Sequence, residues 1–299
     1  MTGDLRDARY AADEPVKVSI ATVAYNHEGC LRQCLDSLLD QVCAFRVEII
    51  VHDDASTDAT ADVIGEYEAA YPDIVRGIFQ NENQFSKGVN PQYNYVFPKA
   101  RGEYIAVCDG DDYWCDPLKL ARQVEALDEN PDVAVTYGRV KADTEEGIVE
   151  PYRNGLERDV TALELKKGMP INTSTACYRN IFPAPPPFLK YAPMGDMTVW
   201  AALGHHGRGM FLPQIAPSGY RIHSAGMFST KPQSAKRFAG AMTLLAMAAY
   251  HNDQGDKAGM RACIKRLLGL LVELNGVGPS LGEAMRKSIS VGLKRLRFK

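Results

Sequence analysis

Two acidic clusters in the chain have the residue types and spacing of a divalent-cation site. Asp53 and Asp54 end one short apolar run, and a second cluster, Asp109, Asp111 and Asp112, ends another. Residues two apart on an extended segment point to the same side, so Asp109 and Asp111 can face one ligand. Carboxylate oxygens suit Mg²⁺ and Mn²⁺, which keep open positions for phosphate oxygens. The clusters therefore indicate a metal ion that holds a diphosphate, although Asp and Gly are also common in solvated turns.

Alternating strand and helix patterns place both acidic clusters at one edge of a predicted sheet. Helical segments separate four predicted strands, which span residues 18–25, 47–52, 75–79 and 104–108. Such β-α units with continuous apolar strands predict an α/β fold, with a doubly wound, mainly parallel sheet and helices on both faces. In these sheets the ligand crevice lies beyond the carboxyl ends of the strands. Both acidic clusters fall at those ends.

The other predicted elements follow a less regular order. The third helix of the first half is predicted at 91–99, and a further strand at 133–140. A short helix is predicted at 196–203 and strands with turns at 210–223. From residue 234 onward the apolar spacing is helical.

Composition excludes several classes of protein. With 299 residues, 45% hydrophobic and 24% charged, the chain is predicted to be globular, not disordered or fibrous. The longest nearly uninterrupted apolar run, 239–250, is 12 residues, short of the ~20 that a membrane-spanning helix needs. Seven cysteines without a CxxC pair argue against a disulfide framework or a zinc ribbon, and for a reduced, cytoplasmic protein. A net charge of −3 gives no drive toward nucleic acid.

Phosphate binding by a glycine-rich loop is disfavoured. The first predicted strand is not followed by GxGxxG, and the chain has no GxxxxGK[ST]. The phosphates of a nucleotide would therefore need a metal ion.

Three segments together resemble family 2 glycosyltransferases with a GT-A fold. They are VSIATVAYNH at 18–27, VEIIVHDDASTDAT at 47–60 and GEYIAVCDGDDYW at 102–114. The match covers about residues 16–145, and it is specific because three separate motifs occur in order. The resemblance implies a nucleoside-diphosphate sugar as donor and Mn²⁺ or Mg²⁺ as cofactor.

The resemblance also implies which residues bind the nucleotide. Either Asp53 or Asp54 would contact the nucleobase, and the sequence does not separate them. Ala55 stands where the family often has Gly. The first strand and its turn would line the pocket through Thr22, Ala24, Tyr25 and Asn26.

The same resemblance implies the metal ligands. Asp109 would approach the ribose and the metal, and Asp111 would ligate the metal. Gly110 would leave room for close approach, and Asp112 is the weaker candidate, in a supporting position. His223 lies where some GT-A enzymes bring a histidine to the metal or diphosphate, although an ordinary structural histidine is an equal alternative.

An inverting transfer needs a base opposite the leaving nucleotide. In the family an acidic residue at the start of a helix after the sheet has this role, and the match in residues 194–200 makes Asp196 the candidate base. Gly195 departs from the acid that usually precedes it. The alternative is that Asp196 only caps the helix. An ordinary Asp pKa of ~3.9 is low for a base, so the proton would transfer late, as the nucleotide departs.

Three further residues are weighed for the donor site. Lys87 lies in a polar loop that would rim it, where a phosphate contact competes with a solvated lysine. Trp114 and Trp200 could stack on a sugar face or pack in the core. Trp114 directly follows the acidic turn, so we favour it as a nucleotide-sugar-binding residue.

The C-terminal segment is basic. Residues 256–299 contain ten Lys or Arg and three acidic residues, a local charge of +7, whereas residues 1–255 carry −10. With the apolar stripe from Leu281 to Leu296, this segment could rest on an anionic membrane at the inner face of the cell membrane. The alternative is a helical cap packed on the enzyme.

These inferences give a predicted organisation and function. A flexible lead-in covers 1–15, a GT-A domain covers 16–230 with its donor half at 16–145 and its acceptor half at 146–230, and a basic helical extension covers 231–299. The expected activity is inverting, metal-dependent transfer of one sugar to a carbohydrate, lipid-linked or protein acceptor, in cell-surface polysaccharide or glycoconjugate synthesis. Single addition is expected because neither a QxxRW motif nor a membrane span is found in the sequence. The alternatives are a non-catalytic sugar-nucleotide-binding protein and a nucleotidyltransferase.

Overall fold

The computed structural model describes residues 3–11, 13–152, 156–181, 186, 188, 192–222 and 232–274. The strands are β1 (Gly3–Asp4), β2 (Val16–Ala24), β3 (Val42–Cys43), β4 (Arg46–Asp53), β5 (Val75–Phe79), β6 (Tyr104–Val107), β7 (Val133–Tyr137), β8 (Val140–Thr144), β9 (Gly147–Val149), β10 (Cys177–Arg179), β11 (Arg208–Phe211) and β12 (Ser218–Ile222). The α-helices are α1 (Leu31–Leu39), α2 (Thr60–Ala70), α3 (Lys119–Glu129), α4 (Ala162–Lys166), α5 (Gly195–Leu203), α6 (Gln233–Asp253) and α7 (Lys257–Leu274).

The central sheet has seven strands in the order β11-β7-β10-β6-β2-β4-β5. The four strands β6, β2, β4 and β5 are parallel, and β10 lies antiparallel between β6 and β7. The predicted mainly parallel sheet is therefore confirmed. Its central strands are buried on both faces, which explains their nearly continuous apolar sequences.

Each face of the sheet is covered by helical segments. On one face, α1 buries its apolar stripe, and the core there also takes residues from α2 and α3. The other face is covered by segment 92–99 together with α4, α5 and the C-terminal helices. The two cores give the layered α/β arrangement that the alternating pattern predicted.

Two predicted elements differ in detail. Instead of one α-helix at 91–99, a π-helical turn at Gln92–Val96 is followed by a 3₁₀ turn at Phe97–Lys99. Pro98 has no N–H to donate and so cannot continue a regular ladder. The strand predicted at 133–140 ends at Tyr137, and β8 begins a new sheet at Val140.

Residues 3–7 are packed on the domain, which differs from the flexible lead-in expected for 1–15. Strand β1 pairs antiparallel with β3, and Leu5 is fully buried against the core. The Arg6 guanidinium pairs with Asp36 and Asp40 on and just after α1. Segment 3–7 is therefore an integral part of the domain.

A second, three-stranded sheet has the order β12-β8-β9. Its strand β12 is tied to the residue after the acidic turn, since the backbones of Tyr113 and Gly219 exchange two hydrogen bonds of 3.1 and 2.8 Å. This link brings the second half of the chain against the edge of the central sheet where the acidic turns lie.

The helices α6 and α7 form an antiparallel hairpin that packs into the main core. Leu244 and Met247 of α6 and Cys263 of α7 are buried together with residues of α5. The predicted extension at 231–299 is thus, over its described part, continuous with the core of the α/β domain. No described helix is both long and apolar enough to span a bilayer. The apolar stripe at 281–296 lies outside the described residues.

A polar network fastens this hairpin to α4 and to the end of α5. His251 Nε2 lies 2.9 Å from the Lys166 carbonyl and must donate to it, because a carbonyl only accepts. His251 Nδ1 therefore accepts from His205 Nε2 at 2.8 Å. The side chains of His205, His251 and Asp256 lie close enough together to hold a metal ion. However, Lys166 Nζ lies 2.7 Å from Asp256 Oδ2, so the lysine ammonium already occupies the place beside this carboxylate.

Candidate active site

The acidic turns that follow β4 and β6 are both held by the end of β2. The N–H of Gly110 donates to the Val23 carbonyl at 2.9 Å, and the N–H of Asp54 donates to the Ala24 carbonyl at 3.0 Å. A Cβ added to Gly110 would lie 3.0 Å from the Ala24 Cβ, closer than the two turns allow. The glycine of the DGDD turn is therefore required by close approach of the two strand ends.

The turn after β2 and the turn after β4 hold each other in place. Asn26 donates its N–H to Ser56 Oγ at 2.9 Å and accepts from the N–H of Thr57 at 2.8 Å. Asp58 accepts from the N–H of Glu28 and from Thr60. Burial alone would raise the pKa of Asp58, but these hydrogen bonds lower it. The two turns form one rigid rim.

Within this rim, Ala55 has a φ of +61°, in the left-handed region. An alanine there is strained, whereas glycine would not be, which gives a physical reason for the glycine that the family often has.

The carboxylates of Asp53 and Asp54 are both buried at this rim. Asp53 accepts from the N–H of Ser56 at 3.2 and 3.3 Å, which closes its own turn. Asp54 accepts from the N–H groups of Gln84 and Phe85 at 2.9 and 3.0 Å, one on each oxygen. Asp54 therefore fixes the polar loop that carries Lys87.

Three carboxylates converge on the acidic turn after β6. Burial, together with the carboxylates of Asp111 and Asp196, raises the pKa of Asp109 to about 7. Burial, Asp111 and Asp109 likewise raise the pKa of Asp112 well above its usual range. These shifts indicate negative charge that a cation would neutralise, and Asp109 and Asp111 offer the hard oxygen ligands of Mg²⁺ or Mn²⁺, so the residues fit such an ion.

Asp196 lies in the first turn of α5, on the side of Asp109. Burial raises its pKa, and backbone N–H groups at the start of the helix oppose this rise. The N-cap residue of α5 is Met194, with no side-chain cap hydrogen bond, so Asp196 is not the cap. A Cβ at Gly195 would lie 2.2 Å from Asn90 Nδ2, so a larger residue before Asp196 would have to displace the Asn90 side chain.

Two basic residues near the acidic turn, Arg221 and His27, were not predicted as site residues. The Arg221 guanidinium donates to the Asp111 carbonyl at 2.6 Å, and the Arg221 N–H donates to Asp112 Oδ1 at 3.1 Å. His27 Nε2 lies 3.9 Å from Asp111 Oδ2. Their only signal in the sequence is that His27 follows the first strand and Arg221 stands two residues before His223.

Several predicted site residues lie elsewhere than expected. Thr22 and Ala24 are fully buried under the rim, whereas Tyr25 and Asn26 reach its surface. The Lys87 side chain is exposed and pairs with Glu82 of its own loop. His223 lies outside the described residues.

Trp114 is a core residue, contrary to its expected role at the sugar. It is 4% exposed, its indole N–H donates to the Ser174 carbonyl at 2.7 Å, and Lys119 Nζ lies 4.0 Å from its ring centroid. Both the ring and its polar atom are thus already occupied. Trp200 is fully buried as well.

Comparison with known proteins identifies the family. The sequence profile described as "Glycosyl transferase family 2" matches residues 19–182, more than half of the chain. The chain belongs to glycosyl transferase family 2. The match includes all but the first residue of the three motifs, and it extends to β10, so the resemblance inferred from the sequence is confirmed.

Curated relatives of this family 2 protein come from several bacteria. An uncharacterized protein of Mycobacterium tuberculosis is 36% identical over 227 residues, which cover 74% of this chain and 63% of that protein. The chain thus spans less than two thirds of that relative. The Escherichia coli protein named UDP-Glc:alpha-D-GlcNAc-diphosphoundecaprenol beta-1,3-glucosyltransferase WfaP is 26% identical over 240 residues, covering 78% of this chain and 88% of the relative.

Solved structures confirm the GT-A fold. Staphylococcus aureus TarS 1–349 in complex with UDP-GlcNAc aligns with a TM-score of 0.62 and 19% identity, covering 90% of this chain and 76% of that one. The mannosyltransferase PcManGT of Pyrobaculum calidifontis, in complex with GDP-Man and Mn²⁺, aligns with a TM-score of 0.51 and 16% identity, covering 94% and 81%. Both alignments extend beyond the three motifs into the acceptor half.

Proposed function

We propose that this family 2 protein transfers a single sugar from a nucleoside-diphosphate sugar to an acceptor hydroxyl, with inversion and with a divalent metal ion. The observation that carries the proposal is the convergence of Asp109, Asp111 and Asp196 at the carboxyl edge of the sheet, with the pKa of Asp109 raised to about 7 by burial and by its two acidic neighbours. Such an unbalanced set of carboxylates suits a metal–diphosphate donor facing a general base.

The donor would lie along the rim formed by the turns after β2 and β4. Asp53 and Asp54 would contact the nucleobase end, and Tyr25 and Asn26 would line the pocket. Asp109 and Asp111 would hold Mg²⁺ or Mn²⁺, which when bound neutralises charge on the leaving diphosphate. Asp112 would support this turn through its hydrogen bond from Arg221.

Asp196 would accept the proton of the acceptor hydroxyl. The acceptor oxygen forms a bond to the anomeric carbon, while the bond between that carbon and the diphosphate oxygen breaks on the opposite face, which inverts the configuration. Burial raises the pKa of Asp196 above that of an ordinary aspartate, which makes it a better proton acceptor than the sequence alone suggests.

The acceptor class is proposed from a relative. WfaP, matched over 88% of its length, is named for transfer to a diphosphoundecaprenol-linked sugar. We infer a lipid-linked saccharide as acceptor here, which places the reaction in cell-surface polysaccharide or glycoconjugate synthesis. Carbohydrate and protein acceptors are the alternatives.

Substitution of Asp196 tests the reaction. We expect Asp196→Asn to lower transfer from the donor to a lipid-diphosphate-linked sugar by about 10²–10⁴-fold, because a positioned base contributes that much. Asp196→Asn should still show the thermal shift that a nucleotide produces together with Mn²⁺. This shift is measured with UDP, GDP, dTDP and CMP. Asp109→Asn and Asp111→Asn should lose that shift, and exposed Asp73→Asn should change neither readout.

Three outcomes would contradict the proposal. Wild-type turnover in Asp196→Asn would remove this residue from the mechanism. A metal-dependent shift without any transfer by the wild-type protein would instead favour the non-catalytic, sugar-nucleotide-binding alternative. If triphosphates react with release of pyrophosphate, the protein is a nucleotidyltransferase.

A further inference from the structure

The outer face of α6 carries a row of exposed apolar side chains. Phe238, Met242 and Leu245 are 63%, 46% and 61% exposed, and their i, i+4, i+7 spacing puts them on one side of the helix. Single exposed apolar residues are common on protein surfaces, but a contiguous row along a helix marks a contact surface.

This row points away from the domain. The opposite side of α6 is the buried one, where Leu244 and Met247 pack into the core. On this buried side of α6, Thr243 Oγ1 accepts a hydrogen bond from the N–H of Met194 at 3.1 Å. The apolar row is therefore not needed to attach the helix.

The neighbouring helix α7 adds positive charge. Lys257, Arg261 and Lys265 are exposed and four residues apart, so they form a second row on the side of α7 that faces away from the buried Cys263. Leu271, also exposed, lies on the same helix. Because α6 and α7 pack side by side on the domain, both rows lie on the outer face of the hairpin.

An apolar row beside a basic row is the pattern of helices that lie in a membrane interface. The apolar side chains enter the boundary of the acyl chains, and the Lys and Arg side chains stay with anionic headgroups. A twofold contact between two copies through the apolar row would leave the basic row without an acidic partner, whereas anionic headgroups neutralise it. The charge pattern therefore favours a lipid surface as the partner.

We propose that the outer face of the α6–α7 hairpin, with Phe238, Met242 and Leu245 beside Lys257, Arg261 and Lys265, rests on an anionic lipid bilayer. Helix α6 packs on α5, whose first turn carries Asp196. Contact through this face holds the acceptor side of the site close to the membrane, where a lipid-linked acceptor is located. This last consequence rests on the proposed function, whereas lipid binding itself does not.

Vesicle flotation of the whole protein tests the surface. We expect the wild-type chain to bind vesicles of phosphatidylglycerol and phosphatidylcholine, to bind pure phosphatidylcholine much less, and to dissociate as salt is raised. The double variant Phe238→Ser, Leu245→Ser should lower the bound fraction at least about fivefold. The triple variant Lys257→Gln, Arg261→Gln, Lys265→Gln should lose the preference for phosphatidylglycerol.

Matched controls remove similar groups from other surfaces. Ile148→Ser with Val149→Ser removes two exposed apolar side chains on β9, and Arg76→Gln with Lys99→Gln removes two exposed charges. Both controls should bind vesicles as the wild type does. Thermal unfolding checks that every variant is folded.

Several results would overturn the proposal. If the wild type does not float with anionic vesicles at low salt, the surface has no lipid role. If the hairpin variants bind as the wild type does, residues 275–299 carry the binding instead. If sedimentation velocity shows a dimer that Phe238→Ser with Leu245→Ser dissociates, the face is a self-association surface.

The lipid surface and the proposed reaction can fail separately. Transfer to a soluble acceptor analogue should be unchanged in the Phe238→Ser, Leu245→Ser variant, since neither residue lies in the site. Lipid binding without sugar transfer would contradict the proposed reaction but support the proposed lipid-binding surface. Sugar transfer without lipid binding would support the reaction and contradict the lipid-binding surface.

Discussion

Burial and neighbouring charge decide the chemistry of individual side chains at this site. Two aspartates at the same edge of the sheet have pKa shifts in opposite directions. Hydrogen bonds from nearby donors lower the pKa of Asp58, whereas burial, Asp111 and Asp196 raise the pKa of Asp109. Asp58 is therefore a structural anion that fixes two turns. If Asp109 is a metal ligand, as proposed above, its proton competes with the metal ion, and metal binding should weaken as pH falls below about 7.

Trp114 gives a test at the residue scale. We expect Trp114→Phe to destabilise the fold by about 1–3 kcal/mol, because it removes buried volume and the 2.7 Å hydrogen bond to the Ser174 carbonyl, which then accepts only from Ser218 Oγ at 3.2 Å. The KM for the donor should stay within about twofold. Denaturant unfolding and donor kinetics measure the two effects.

Trp200→Phe is the matched control for this substitution. The Trp200 Nε1–H has no hydrogen-bond partner among the described residues, so Trp200→Phe removes no hydrogen bond there and should cost less. If Trp114→Phe is as stable as the wild type but binds the donor more weakly, the Trp114 ring contributes to the sugar site instead.

At the scale of elements, the hairpin depends on neutral histidines where α4, α5, α6 and α7 meet. His251 can accept from His205 only while its Nδ1 is unprotonated. Burial, the Lys166 ammonium and His251 lower the pKa of His205 to about 4, although nearby Asp256 opposes the shift. Burial also lowers the pKa of His251. The junction is therefore stable at neutral pH and sensitive to acid.

The pH dependence of stability tests this junction. An unfolded histidine takes up a proton below pH ~6.5, but folded His205 does so only near pH 4, so the unfolded chain binds more protons in this window and stability falls as pH falls through it. His205→Gln keeps an N–H donor but does not titrate. When the pH is lowered from 7 to 4.5, the Tm of the wild type should fall by about 2–4 °C more than the Tm of His205→Gln. Equal losses in both proteins would show that His205 does not titrate in this window.

At the scale of the whole molecule, Arg221 joins the two halves of the chain. From β12 of the small sheet, its guanidinium donates to the Asp111 carbonyl and to Gln33 of α1, lies 3.7 Å from Asp143, and stacks over the Tyr113 ring. The acidic turn thus takes its position from both the central sheet and the small sheet. Arg221 would be a positioning residue for the proposed metal site, since its guanidinium donates to the backbone of the turn that carries Asp111.

Arg221→Met should lower Mn²⁺ affinity by about 10-fold, as loss of a residue that orients metal ligands does. The Mn²⁺ concentration that gives half-maximal activity should rise, while kcat at saturating Mn²⁺ changes little. Titration of the thermal shift with Mn²⁺ provides a second readout.

Arg208→Met is the control, because Arg208 is likewise an arginine in an ion pair, here with Asp132 and Asp159, but lies away from the acidic turn. It should reduce stability without changing Mn²⁺ dependence. Equal Mn²⁺ dependence in Arg221→Met and in the wild type would show that Arg221 does not position the ligands.

The sequence by itself determined the parallel sheet, the acidic turns at its carboxyl edge and the family, because these rest on local patterns: continuous apolar strands, Asp and Gly at turns, and motifs of fixed spacing. Local patterns do not show which way a side chain points after a turn. Trp114 beside the DGDD turn was therefore assigned to the sugar, and Leu5, near the chain terminus, to a flexible lead-in, although both are buried.

Only the tertiary structure decided contacts between residues far apart in the chain. Asp196 lies close enough to Asp109 to raise its pKa although the two are 87 positions apart in the chain, and Arg221 reaches Asp111 from β12. The raised pKa of Asp109 depends on its burial and on two neighbouring carboxylates, Asp111 of the same turn and Asp196 of α5. The outward row on α6 is likewise visible only once packing of the opposite face shows which side of the helix is free. Long-range packing sets these features, and no local spacing encodes them.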